Sequence, residues 1–115
     1  MQVFVYEYFT GGGAGELPQG PEASLLAEAA AMARGVAADF AALDGVRVVA
    51  TRDERLPAIH PAGCELTAIQ CGASDLPTIG KLAAESDWTV LIAPETAGAL
   101  LTRARLIERA GESRK

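Results

Sequence analysis

A three-layer α/β domain with a mostly parallel, four-stranded sheet is the fold class this sequence predicts, and three observations carry the prediction. Residues 3–8 and 88–93 are short runs that are apolar on both faces, as strands covered by helices on both sides must be. Other segments repeat apolar residues at intervals of three and four, the signature of helices with one buried stripe. The resulting order, β-α-β-β-α-β-α, alternates in the way that gives parallel sheets of Rossmann-like type. At 115 residues, half of them apolar, the chain has the size and composition of one domain with one core.

The first strand, 3–8, is β-branched and aromatic. It runs into Thr10-Gly11-Gly12-Gly13-Ala14-Gly15, where four glycines in five residues free the backbone to come very close to a neighbour. Gly20 then caps a helix, Pro21 suits its first position and Glu22 complements its positive end. Leu25, Ala29, Met32, Val36, Phe40 and Leu43 form its expected inward stripe, and Asp44-Gly45 stops it.

The second strand is 46–50. A long loop over 51–63 holds two prolines and the charged trio Arg52, Asp53 and Glu54, and a weaker strand follows at 66–71. Asp75 reads as the cap of a short helix over 76–86, with Leu76, Ile79, Leu82 and Ala83 inward. The fourth strand, 88–93, leaves through Pro94-Glu95-Thr96 into a last helix over 96–110. There Leu100, Leu101, Ala104 and Ile107 point inward and Gly111 ends the helix, so that the domain spans 1–111 and 112–115 is a polar tail. The first and fourth strands are expected to be neighbours, both inside the sheet.

Composition excludes several functions. The net charge of −5 lacks the basic footprint of nucleic-acid binding. The one basic bias, at Arg103, Arg105, Arg109, Arg114 and Lys115, is diluted by Glu108 and Glu112 and reads as a solvated helix face. No apolar run reaches the ~20 residues of a membrane span. Met1 leads straight into a strand with no signal peptide, so a cytoplasmic location is expected. Cys64 and Cys71 are spaced for neither zinc nor redox chemistry and read as small buried hydrophobes without a disulfide. His60, beside Pro61, has no evident partner. No nucleophile–base set and no clustered metal ligands are present.

Ligands of open parallel sheets bind beyond the carboxyl ends of the strands. Two loops leave such ends. The glycine loop has the context of an anion cradle, but it is not G-x-G-x-x-G and lacks the Gly-Lys-Ser/Thr of a phosphate loop, and Glu16 would repel a phosphate. It is either a cover over a ligand or a crossover with none. Glu7 and Glu95, each at the end of an inner strand, are placed to face one cleft and hold a substrate ammonium group. The plainer accounts are a strand-end carboxylate bonded to a loop amide for Glu7 and a helix-terminus charge for Glu95.

The opening Val3-Phe4-Val5-Tyr6-Glu7-Tyr8-Phe9-Thr10-Gly11-Gly12-Gly13 and the later Leu91-Ile92-Ala93-Pro94-Glu95-Thr96 resemble the N-terminal region of one ATP-grasp group, as does the helix with Leu25, Leu26, Glu28, Ala31 and Met32. These are predicted ATP-dependent carboxylate–amine ligases linked to the tetrahydromethanopterin one-carbon pathway, similar to tyramine–glutamate ligase. The resemblance runs from Met1 to about Gly111. It implies a pre-ATP-grasp domain, non-catalytic alone, within an enzyme that activates a carboxylate as an acyl phosphate for attack by an amine. ATP and magnesium belong to the central and C-terminal domains, whose sequence is not here, so no cofactor is expected in this chain. The positions carried over as substrate contacts are Glu7, Thr10, Gly11, Gly12, Gly13 and Glu95.

The implied partner is an ATP-grasp core, in the same chain or as a separate one. Without it, the uncovered surface around Phe9, Leu17, Pro94 and the start of the last helix is expected to form a homodimer. The alternative is a stand-alone flavodoxin-like domain that binds a small ligand or a protein. A dinucleotide-dependent enzyme lacks its glycine fingerprint.

Overall fold

The computed structural model describes residues 1–14 and 22–114. The elements are β1 (Gln2–Glu7), α1 (Ala23–Ala41), β2 (Arg47–Asp53), β3 (Glu65–Ile69), α2 (Leu76–Glu85), β4 (Trp88–Ile92) and α3 (Ala99–Arg114), with a 3-10 turn, Thr96–Gly98, leading into α3. The order is the one the sequence predicts. The expected cap Gly20 and the first-turn Pro21 lie outside the described residues.

The four strands form one sheet in the order β3-β2-β1-β4. Every pairing is parallel, with Val3 opposite Val48 and Trp88, and Val49 opposite Glu65. Alternation along β1 divides the core. Val3 and Val5 join Val48 and Ala37 of α1 on one face. Phe4 and Tyr6 join Val49, Ile79, Leu82 and Ala83 of α2 and Ala110 of α3 on the other. One helix therefore covers one face and two helices cover the other, which makes three layers.

β1 is central, as expected, and β4 is its neighbour, but β4 is an edge strand and not an inner one. Its apolar sequence does not report full cover. Trp88, Val90 and Ile92 fall in register with Val3, Val5 and Glu7, on the α1 side. α1 lies over β1 and β2. Trp88 is consequently 65% exposed and the rest of β4 is only half-buried.

The inward stripe of α1 also differs from expectation. Its buried residues are Ala29, Ala33 and Ala37, whereas Leu25, Met32 and Leu43 are exposed and Val36 and Phe40 half-buried. Small side chains let the helix axis approach the sheet closely, and the large residues flank the contact. In α2 the expected Ile79, Leu82 and Ala83 are buried. In α3, Leu101 is exposed while Ala99, Arg103 and Ala110 are buried, and the helix continues through Gly111 to Arg114. Cys64 and Cys71 are free thiols; Cys64 is half-buried, and Cys71 is exposed because it follows the end of β3 in an open turn.

The alanine stripe makes a prediction about packing. Ala33→Leu should destabilise the fold by about 1–3 kcal/mol through overpacking. Met32→Gln, one position away, should change stability by less than about 0.5 kcal/mol. Urea denaturation of the two variants measures both; the large-residue stripe predicts the reverse ranking.

Candidate functional site

β1 is where the strand order reverses. The chain steps from β1 to β2 and β3 on one side, then returns through α2 to place β4 on the other. The carboxyl ends of β1 and β4 thus flank the crevice at which open α/β sheets bind ligands.

Glu7 builds the loop that leaves β1. One carboxylate oxygen accepts from Thr10 N at 2.7 Å and Thr10 Oγ1 at 2.8 Å, and the other accepts from Phe9 N at 3.0 Å. Gly11 N donates to the Glu7 carbonyl and Gly13 N to the Tyr8 carbonyl, both at 2.8 Å. The turn is pinned to β2 by Thr51 Oγ1 donating to the Gly11 carbonyl at 2.7 Å and by Asp53 N donating to the Thr10 carbonyl at 2.8 Å. Asp53, fully buried, takes a two-pronged contact from Arg55, whose Nη2 also reaches the Ala14 carbonyl at 3.1 Å. The Arg55 guanidinium holds the Asp53 carboxyl below the usual carboxylate range.

This pinning demands glycine. Gly12 has φ of +103° and a Cβ on it would strike the Ile69 side chain; a Cβ on Gly13 would enter the Tyr8 ring. The described part of the glycine loop is a packed wall of the crevice.

The centre of the crevice is a cluster that the sequence reading did not single out. Asp75 stands at the N-terminal boundary of α2, as expected, but its carboxylate does not cap the helix. It receives the Tyr6 hydroxyl and Arg103 of α3, with Nη2–Oδ1 at 2.8 Å and Nε–Oδ2 at 3.2 Å. Arg103 Nε also meets the Tyr6 oxygen at 2.9 Å, and Nη1 donates to the Ala99 carbonyl at 3.2 Å. The guanidinium lies 4.7 Å from the centre of the Tyr8 ring, within cation–π range. Arg103 is 8% exposed and Asp75 3%. Burial, and then the Asp75 charge, push the Tyr6 phenol well above its ordinary value. Arg103 therefore does not belong to the solvated face assigned to it; Arg105 and Arg109 do face solvent. The signal available in the sequence was its place on the helix face that also carries Ala99 and Ala110, the small residues of the buried side.

Three hollows open around this end of the sheet. One, of about 230 Å³, is polar and lies between Tyr8, Gly12, Gly13, Ser74, Asp75 and Arg103. A second, of about 220 Å³, lies between α1 and β4 and includes Glu7, Met32 and Pro94. A third, of about 240 Å³, is apolar and includes Thr10, Leu26, Arg52 and Leu56. Glu95 lines a separate surface depression with Leu100, Leu101 and Ala104. Glu7 and Glu95 thus do not share one cleft: Glu7 turns back into its own loop, and Glu95 sits exposed at the turn before α3. Among the described residues, no group of three or more histidine, cysteine or acidic side chains is arranged for a metal ion. No described helix is long and apolar enough to cross a membrane.

The fold and the crevice are those of an α/β domain built to present the carboxyl ends of its strands. A family model, the pre ATP-grasp 3 domain, matches residues 46–113, from the start of β2 to the end of α3. The chain belongs to this family, whose domains form the N-terminal part of ATP-grasp proteins. The match includes the Leu91–Thr96 motif and lies outside the glycine-loop motif. No curated protein and no solved structure matches the chain.

Two outcomes follow from the buried groups. Asp75→Asn leaves the Arg103 charge without a counter-ion and should cost about 3–5 kcal/mol in chemical denaturation. His60 is the second case. Burial, with Arg34 and Arg52 nearby, holds its imidazole below the usual value, and its Nδ1 is buried without a hydrogen-bond partner among the described residues. The unfolded chain binds the proton first as pH falls below about 6.5, so stability should decline there and recover as pH rises. His60→Asn should flatten that part of the stability–pH curve; an unchanged slope would reject the assignment.

Proposed function

We propose that this chain is the N-terminal, substrate-side domain of an ATP-grasp ligase that joins a carboxylate to an amine through an acyl phosphate, and that it does no chemistry alone. The match to the pre ATP-grasp 3 domain carries this reading. The resemblance of its two motifs to carboxylate–amine ligases of tetrahydromethanopterin-linked one-carbon metabolism supports the finer assignment, with tyramine–glutamate ligase as the point of comparison. In this reading Gly12 and Gly13 border the substrate, Glu7, Thr10 and Gly11 hold that wall in shape, and Glu95 meets substrate from the turn after β4. ATP and magnesium bind in the ATP-grasp core, and the chain operates in the cytoplasm.

The core docks on the side of the sheet that α1 leaves bare. There lie the open edge of β4, the exposed Trp88 at its start and, at its end, the hollow containing Met32 and Pro94. Contacts between domains typically bury ~600–1,500 Å². A second reading, a stand-alone small-ligand-binding domain of flavodoxin-like type, is favoured by the polar hollow at the buried Arg103.

Calorimetry should detect no micromolar binding of Mg-ATP to the purified chain, and light scattering should show self-association at high concentration through the bare face. A saturable micromolar ATP isotherm would overturn the division of labour. A strict monomer at all concentrations would favour the stand-alone reading.

A further inference from the structure

A guanidinium has five N–H bonds in a planar fork. In Arg103, Nε–H is shared by Tyr6 and Asp75, one Nη2–H goes to Asp75 and one Nη1–H to the Ala99 carbonyl. One N–H remains on each Nη, with no further acceptor among the described residues. Asp75 occupies the Nε/Nη2 side of the fork, so the spare Nη2–H lies on the Nη1/Nη2 side. Arg103 lines the 230 Å³ hollow, whose other walls are Tyr8, the Gly12–Gly13 backbone and the Ser74–Leu76 start of α2.

We infer that this hollow binds the carboxylate group of a small organic acid, held end-on by the two spare N–H groups of Arg103. Three features select that ligand class. Two parallel N–H donors on one guanidinium match the two oxygens of a planar carboxylate. Asp75 already neutralises the arginine, so the site tolerates the single charge of one carboxylate group better than two charges concentrated on one phosphate group. The first turn of α2, ten residues long, presents its positive end at the rim and favours an anion there. The cation–π contact with Tyr8 and the buried pair with Asp75 hold the fork in place before the ligand arrives. The inference goes beyond the ligase reading and does not need an ATP-grasp core, because all the groups belong to this chain.

The test is an NMR titration of the whole chain with acetate, succinate and inorganic phosphate. The Arg103 Nε–H and the Gly12 and Gly13 amides should shift and saturate with acetate or succinate, with Kd of roughly 1–10 mM. Phosphate should bind at least several-fold more weakly. Arg103→Lys keeps a positive charge for Asp75 and loses the fork. With its amide spectrum still dispersed, it should show at least a tenfold loss of carboxylate affinity. Because the wild-type titration stands by itself, an unfolded variant does not rescue the idea. No saturation in the wild type, phosphate binding as tight as carboxylate, or shifts confined to Arg105 and Arg109 would each overturn it. The ligase reading is tested separately by ATP calorimetry and light scattering, so either can fail alone.

Discussion

A guanidinium can be buried only where its charge is matched and its donors are met, and at Arg103 this requirement brings three distant parts of the chain to one point. Asp75 comes from the start of α2, Tyr6 from the central strand and Arg103 from α3. Such a pair adds little to stability relative to a well-packed apolar core, but it is costly to break, so it excludes arrangements in which any of the three elements is displaced. The side-by-side packing of α2 and α3 over Phe4 and Tyr6 is the arrangement that remains. The glycine loop is fixed next to it by a second polar set, Glu7, Thr51 and Asp53, so both walls of the crevice rest on buried charges.

The opposite side of the sheet is less complete. A doubly wound sheet normally carries helices over the whole of both faces, because strands with apolar faces need cover. Here α1 lies over β1 and β2, while β4 is only half-covered on that face and has an unpaired outer edge. Exposed hydrogen-bonding edges and apolar strands are liabilities that native proteins cover. In the proposed reading, this less covered side is where an ATP-grasp core packs.

Element order, strand direction and the adjacency of β1 and β4 were legible in the sequence because they rest on local periodicity and on the alternation of strands with helices. The edge position of β4 was not. An apolar strand reads the same whether its cover comes from its own domain or from a neighbour, so Trp88 could not be told from a core residue. The stripe of α1 was legible in part: Ala29 is buried and Val36 and Phe40 pack at the edge of the core, but alanine is weak in any apolar pattern, so Ala33 and Ala37 were missed and the exposed Leu25 and Met32 were taken in their place. At the site, the glycines and Glu7 stood out because four glycines in five residues and a strand-end acid are locally unusual. Asp75 and Arg103 looked like a helix cap and a surface base, since each is ordinary at its own position. Their roles exist only as a pair, 28 residues apart, joined through Tyr6, which is 97 residues from Arg103.

That span has a consequence for the order in which the molecule can be made. On a growing chain, β1 and α2 are complete before residue 103 has been added, and until then Asp75 cannot be buried beside Tyr6 without an uncompensated charge. Contacts between residues so far apart in sequence also slow folding, because the intervening chain must be ordered before they form. For this domain, the buried contact between Asp75 and Tyr6 gains its matching charge only with α3.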